Sequence, residues 1–340
     1  MSHVRVTTGA RIHVGFLNLS LAHDRLYGGI GLGLDEPRTV VTAAPAGGVE
    51  CDHPIARRYA ERAADLLGVP GATVAVESAL PRHAGLGSGT QLASAVLAAV
   101  GRANGLTPAT RALAPGLGRG GRSGVGVATF EAGGFVIDAG HPTAQYTPDR
   151  PADGEWTVPQ IAVRRDVPEA WRFLVVVPDT DRGRSGDAEE ESIRSVVERA
   201  DPGTADRIAG VVTRQLLPAV AAGSHERFGA AIRSIGRLNG TWYTDEQGGV
   251  YRPTAGAIVA ALNDHPACHG AGQSSWGPCV YAVTHADSAD AARAAGRAAL
   301  SDAGVEGQVL VAAARNRGAA VDSVADAGDD GADSRLIDGG

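Results

Sequence analysis

The 340-residue chain contains no lysine, and all 31 of its Lys/Arg positions are arginine. Any bound phosphate must therefore be met by guanidinium groups, backbone amides, hydroxyls or a metal ion, and chemistry that needs a lysine amine is excluded. Cysteine is nearly missing as well. Cys51, Cys268 and Cys279 are scattered and odd in number, which argues against a disulfide framework or a cysteine metal site and for a reduced, cytoplasmic setting. No apolar run is long enough to span a bilayer, and no basic segment followed by an apolar core opens the chain, so neither a membrane role nor a secretory signal is expected. The net charge of −7 disfavours a broad nucleic-acid surface.

What remains is a globular composition, 44% hydrophobic and 20% charged, in a chain long enough for two domains. The excess of Ala, Gly and Arg over Lys reads as a GC-rich genome of actinobacterial type. Three glycine-rich stretches stand out, and the sharpest runs from Pro81 to Gln91. Gly85, Gly87 and Gly89 alternate with Leu86, Ser88 and Thr90, and the apolar segment Leu92–Val100 follows at once. That segment predicts a helix buried on nearly every side. A Gly/Ser/Thr loop feeding a helix start aims backbone N–H groups outward at the positive end of the helix dipole. An anion such as a diphosphate can sit there without a lysine. The same residues also read as a flexible loop in front of an ordinary core helix.

The patterning predicts strands at Val4–Val14, Tyr27–Leu34, Val40–Ala43, Thr73–Glu77, Phe135–Asp138, Arg172–Val177 and Val280–Thr284, with Val309–Ala313 closing the sheet. Helices are expected at 55–67, 187–199, 205–222, 226–239, 254–262 and 288–303. Residues 119–126 and 267–277 read as loops. The Pro/Asp/Gly-rich stretch 143–158 reads as an inter-domain linker, and the chain beyond 321 as a disordered tail. This alternation of short strands and helices makes the fold class α+β, with domains at 1–155 and 156–321 and a tail at 322–340.

Several residues carry candidate chemistry beside a plainer structural reading. Arg11 and His13, two apart on a strand, share one face and would bind a phosphate or carboxylate if that face lines a cleft. Arg122 and Ser123 sit in the second glycine-rich loop. Asp138 and His141 close a strand at a glycine turn, where an Asp would hold hydroxyls or orient the imidazole; His83 lies beside the first loop. Arg184 and Ser185 belong to a polar loop that would act as a lid. Gln273, Ser274, Ser275 and Trp276 form a hydroxyl/amide loop whose indole would stack on a ring or pack as core.

Together the glycine-rich loop, Ser123-Gly124 and Gly270-Ala271-Gly272 resemble the three motifs of the galactokinase, homoserine kinase, mevalonate kinase and phosphomevalonate kinase (GHMP) superfamily. More closely, the blocks 10–17, 27–32, 85–91, 131–135, 138–141 and 273–278 resemble the β-ribofuranosylaminobenzene 5′-phosphate synthase family. The resemblance implies an N-terminal domain like ribosomal protein S5 domain 2, a ferredoxin-like C-terminal domain and a homodimer. It also implies transfer of ribose 5-phosphate from phosphoribosyl diphosphate to a ring carbon of an aromatic carboxylic acid, releasing CO₂ and diphosphate with Mg²⁺ as cofactor. The implied diphosphate ligands are Gly85, Gly87, Ser88, Gly89, Thr90 and Gln91, and Ser88 and Glu131 match metal-bearing positions of the related kinases. Within the family the C-nucleoside branch, of the formycin-pathway kind, is the nearest fit, with 4-aminopyrazole-3,5-dicarboxylate as acceptor; 4-aminobenzoate or 4-hydroxybenzoate is the alternative. A small-molecule kinase is a further alternative, but the expected catalytic Asp position is Gly126 and the supporting lysine is missing. A metabolite sensor on an inactive kinase fold is the non-enzymatic reading.

Overall fold

Alternation of buried and exposed side chains starts with the first strand of this computed structural model, which describes residues 3–180 and 187–324. In β1 (His3–Asn18), Val4 and Val6 point inward and His3 and Arg5 outward; from Thr8 to Val14 all but Arg11 are buried. β2 (Arg25–Pro45) pairs with it antiparallel from Val4↔Ala43 to Asn18↔Tyr27. The stretches at 27–34 and 40–43, expected as separate strands, are one strand, because β1 runs past both and pairs with each, with register shifts between Gly9 and Arg11 and between His13 and Gly15. α1 (Pro54–Leu67) is capped by the His53 side chain, and β3 (Ala72–Ser78) pairs with the far half of β2.

α2 (Ser88–Ala103) is the buried helix expected from the sequence: every residue from Gln91 to Gly101 is buried. It packs with β1, β2, β3 and α1 around Leu92, Val96, Leu97 and Val100. Each of these side chains contributes about 1.5–3 kcal/mol of hydrophobic stabilisation, which fixes the helix start in place. After the short α3 (Thr110–Leu113), α4 (Val125–Glu131) starts at the end of the 119–126 stretch, which reads as loop for its glycines. Burial of Val125, Val127, Ala128 and Phe130 overrides the weak local propensity. β4 (Phe135–Asp138) and β5 (His141–Pro142) both pair with β2, and β6 (Ile161–Arg165) pairs with β4. The expected linker at 143–158 thus returns to the first sheet, and a cut at 155/156 would divide that sheet.

The second sheet centres on β7 (Trp171–Pro178). α5 (Asp187–Arg199) follows, and α6 (Pro202–Val211) runs through a π turn (Val212–Leu216) into α7 (Leu217–Ala221). Then come α8 (His225–Trp242), α9 (Thr244–Gln247), α10 (Pro253–Asp264), β8 (Ala271–Gln273), β9 (Val280–His285), α11 (Ala289–Asp302) and β10 (Gly307–Ala313). The strand order is β10-β7-β9-β8, antiparallel throughout. β11 (Ala320–Val324) returns to the first sheet, with Val4 opposite Ser323. The tail expected from 322 is therefore strand as far as Val324, and the rest of it lies outside the described residues.

One apolar cluster joins the halves, with Ile12, Ile30 and Phe135 of the first sheet meeting Phe173, Ile232 and Tyr281 of the second half. Among the described residues no helix is long and apolar enough to cross a membrane, and all three cysteines are unpaired and buried.

Candidate functional site

Between the halves lies a cleft of about 1740 Å³, bounded by β1, β2, the start of α2, the 117–123 and 141–157 loops, α5 and residues 275–277. At its base α2 starts from Gly87, which sits in the left-handed region (φ 80, ψ 19) with no side chain capping the helix. Gln91 N–H donates to Gly87 O at 3.0 Å. The amides of Ser88, Gly89 and Thr90 precede the first helical bond and have no partner within the helix, and all three residues line the cleft. These amides and the dipole of a 16-residue helix give the helix start the geometry and partial charge that suit an anion.

Two arginines flank it. Arg11 Nη1 donates to Gly85 O at 2.5 Å, and its backbone N–H donates to Leu86 O at 3.0 Å. Arg119 lies against Gly89, bonds the Tyr59 hydroxyl and sits 5.4 Å over the Tyr59 ring. Its buried Nε has no hydrogen-bond partner among the described residues. Arg122 also lines the cleft. Gln91, expected as a diphosphate ligand, is fully buried instead. It accepts from Thr8 Oγ1 at 2.6 Å and donates to Gly126 O at 2.9 Å, so it pins α2 to β1 and α4.

Behind the cradle runs a hydrogen-bonded chain. Asp138 is fully buried and does not line the cleft. Its Oδ2 accepts from Gly124 N at 2.7 Å and Ser123 Oγ at 3.1 Å, and its Oδ1 from Gly140 N at 2.9 Å. Burial pushes its carboxyl above the usual range, against the opposing pull of these bonds and of the Gly29 amide. Asp138, one of the candidates for catalytic chemistry with His141 and His83, is thus closed off from the cleft and acts as a positioning residue. Gly29 is required beside it, since a Cβ there would fall 2.1 Å from Ser123 Oγ and 2.8 Å from Asp138 Oδ2. Ser123 Oγ also lies 3.2 Å from His13 Nε2. With Ser123 donating to Asp138, the chain calls for the Nε2–H tautomer of His13. Burial, helped by Arg11, holds this imidazole down to about 3, so His13 meets the cleft as a neutral ring and supplies no cation for a phosphate.

His13 begins an aromatic ladder that the sequence does not reveal. Phe16 stands 5.0 Å from His13, Tyr27 5.8 Å from Phe16, and His141 6.4 Å from Tyr27, and all four rings line the cleft. His141 lies with Nε2 2.6 Å from Gly121 O, and burial lowers its pKa. Phe16 and Tyr27 meet through the β1–β2 register, where Asn18 faces Tyr27; recognising 3–18 and 25–45 as one hairpin is the signal that would have found them. The hydroxyl of Tyr146, another cleft residue, is buried without a hydrogen-bond partner among the described residues.

The 273–277 loop divides the expectations. Ser275 lines the cleft. Ser274 is fully buried, accepting from His13 N at 3.1 Å and donating to Gly85 O at 2.8 Å, so it locks loop to cradle and touches no ligand. Gln273 is also turned away, its Oε1 accepting from Arg252 N at 3.0 Å. Trp276 is in the core cluster, 4.6 Å from Tyr243, with one edge at the cleft wall. His83 is at the cleft rim beside Arg82, 3.3 Å away. Arg184 and Ser185 lie outside the described residues.

Glu131 does not form a metal site with Ser88. Its carboxylate accepts from Arg111 N and Nε at 3.1 Å and from Nη2 at 2.9 Å, and it does not line the cleft. With its carboxylate committed to Arg111, Glu131 does not complete the expected Ser88–Glu131 pair for Mg²⁺. Glu131→Gln is therefore expected to leave turnover and its magnesium dependence unchanged and to cost about 1 kcal/mol or less in urea unfolding, as a partly exposed ion pair does.

Residues 55–134 match the GHMP kinases N terminal domain and residues 216–302 the GHMP kinases C terminal domain. The chain is 31% identical over 329 residues to the beta-ribofuranosylphenol 5′-phosphate synthase of Methanothermobacter thermautotrophicus, covering 92% of this chain and 97% of the relative. It is 32% identical over 327 residues to the protein of the same name from Archaeoglobus fulgidus, covering 94% and 99%. Homoserine kinase from Cytophaga hutchinsonii shares the fold, with a TM-score of 0.67 at 18% identity over 94% of this chain and 97% of that one.

Proposed function

The chain belongs to the beta-ribofuranosylphenol 5′-phosphate synthase family, on a GHMP kinase fold, and on that premise we propose that it is a decarboxylating C-ribosyltransferase. The donor is phosphoribosyl diphosphate. The bond from the ribose anomeric carbon to the diphosphate oxygen breaks, a bond to the carboxylate-bearing ring carbon forms, and CO₂ leaves with its bonding electrons returned to the ring. Charge is the main demand, because the departing diphosphate must be neutralised where no lysine exists. The observation that carries the reading is the uncapped start of α2, flanked by Arg11 and Arg119 and opening onto the His13–Phe16–Tyr27–His141 ladder. The cradle would take the diphosphate and the ladder the flat acceptor, excluding water from the sugar cation. Loss of CO₂ needs no general base, which suits a site whose Asp138 is buried and whose His13 is neutral. Magnesium, with Glu131 engaged by Arg111 away from Ser88, would arrive on the diphosphate itself.

A kinase is disfavoured locally. Gly126, at the expected catalytic position, packs against Thr90, where a Cβ would lie 3.0 Å from Cγ2, and its carbonyl accepts from Gln91. The acceptor that fits the relatives' names is 4-hydroxybenzoate. A pyrazole dicarboxylate is the second reading, favoured by two further arginines in the cleft lining, Arg58 and Arg122, whose charge suits a second carboxylate. Incubation with phosphoribosyl diphosphate, Mg²⁺ and the rival acids, read by product mass and diphosphate release, decides. A product heavier than the decarboxylated acceptor by ribose 5-phosphate less one water is expected. No diphosphate release with any acid, or phosphorylation of an alcohol by ATP, would overturn the reading, and tight donor binding without turnover would select a sensor.

A further inference from the structure

Away from the cleft, on the second half, three imidazoles converge from three elements. His225 is the first residue of α8, after the capping Ser224. His269 sits in the loop between α10 and β8, and His285 ends β9. The His225 ring is 4.7 Å from His269 and 5.0 Å from His285. Glu226, next on α8, brings a carboxylate to the group, and the ligand atoms of His225, Glu226 and His269 lie within 4.8 Å of one another. None of these residues lines the cleft. We propose that His225, His269 and Glu226 bind a divalent transition-metal ion, with zinc the best fit.

The backbone on both sides of the site is fixed. His269 N donates to Val283 O at 2.8 Å, and α8 passes so close to this loop that a Cβ on Gly229 would fall 1.4 Å from His269 O. His285 is braced by Asp287, whose Oδ2 lies 3.2 Å from His285 Nδ1. The His225 imidazole is kept ready as a ligand. Burial lowers the pKa of His225, with His269 and His285 adding to the effect and Glu226 opposing it, and a neutral imidazole is the form that ligates. Two nitrogens and one carboxylate oxygen suit Zn²⁺, which accepts a water as its fourth ligand. Mg²⁺ and Ca²⁺ demand oxygen donors that are missing here. Tetrahedral zinc ligands stand about 3.3 Å apart, so loading requires a side-chain closure of roughly 1 Å on each side and no backbone rearrangement. The bound ion would tie the start of α8 to the loop that leads into the 271–277 segment, and it would act on stability rather than on the reacting atoms.

Full-length protein stripped with chelator and titrated with Zn²⁺ against a chromophoric competitor is expected to take up one equivalent. Its thermal unfolding should shift upward with Zn²⁺ and not with Mg²⁺. His225→Gln and His269→Gln should each weaken binding by about 100-fold or more and abolish the thermal shift, leaving diphosphate release unchanged. His265→Gln, close in sequence but bonded to Ala267 N through Nδ1, should keep the equivalent. In the wild type, Co²⁺ should give the visible bands of a four-coordinate N/O site, a readout that holds even if a variant folds poorly. The proposal is overturned if the wild type takes up no zinc at micromolar concentration, or if the His225→Gln/His269→Gln double variant retains the equivalent with undiminished affinity. Ribosyl transfer is a separate readout, so its failure would leave the zinc result untouched.

Discussion

Replacing Gly87 by alanine is expected to cut diphosphate release by about 100- to 1000-fold, the loss that follows when an oriented donor to a developing anion is displaced. Gly87 is the helix cap from which the amides of Ser88, Gly89 and Thr90 fan toward the cleft. Its φ of 80 lies in the left-handed region, and a Cβ there would come within 2.7 Å of Arg11 Cγ. The side chain would push Arg11 from Gly85 O and turn the cap, moving an arginine and the amides together. Strain alone does not predict this, and Gly68→Ala separates the two effects. Gly68 caps α1 at φ 65 with open space where a Cβ would go. It should therefore lose a similar ~1 kcal/mol of stability with turnover intact. Equal steady-state rates of diphosphate release for Gly87→Ala and wild type would remove the cradle from the mechanism.

The glycine loop and the buried start of α2 are legible because their signal is local: glycines, hydroxyls and an apolar helix in one run of sequence. The α+β class and most elements were legible for the same reason, each being patterned over a few residues. What failed was non-local. Asp138 and His13 lie on separate strands and Ser123 on a loop, and nothing along the chain says that the carboxylate would be closed over by the amides of Gly124 and Gly140. Gln91 and Ser274 look like ligands because they are polar in glycine-rich loops, yet each satisfies buried groups that bring two elements together. Glu131 follows the pattern of the related kinases, but Arg111, twenty residues away, claims it. The first sheet gathers β6 and β11 from beyond the expected boundary because the edges of β4 and β1 need partners, a demand set by the sheet and not by any strand's own sequence.

The second large effect concerns acid. His13 titrates near 3 in the folded chain but at about 6.5 when unfolded, so the unfolded state binds the extra proton first. The sign follows: the stability that comes from keeping His13 neutral is fully present above pH 6.5 and is lost as pH falls toward 3. The slope is about 1.4 kcal/mol per pH unit, on the order of 5 kcal/mol across the window. His141, lowered in the same direction by burial, adds to the loss. Asp138 opposes it, since a carboxyl raised by burial takes up its proton earlier in the folded state, so its contribution grows as pH falls. Because Ser123 links His13 to Asp138, only a comparison of variants isolates the histidine. His13→Gln retains an amide that can donate to Ser123 and removes the titration. Urea unfolding of this variant is expected to show a shallower decline between pH 6.5 and 4 than the wild type, whatever its stability at pH 8. Parallel curves would mean that His13 takes up its proton in the folded protein as readily as in the unfolded chain. It could then serve as a phosphate ligand, and the assignment of anion binding to backbone amides and arginine would have to be redrawn.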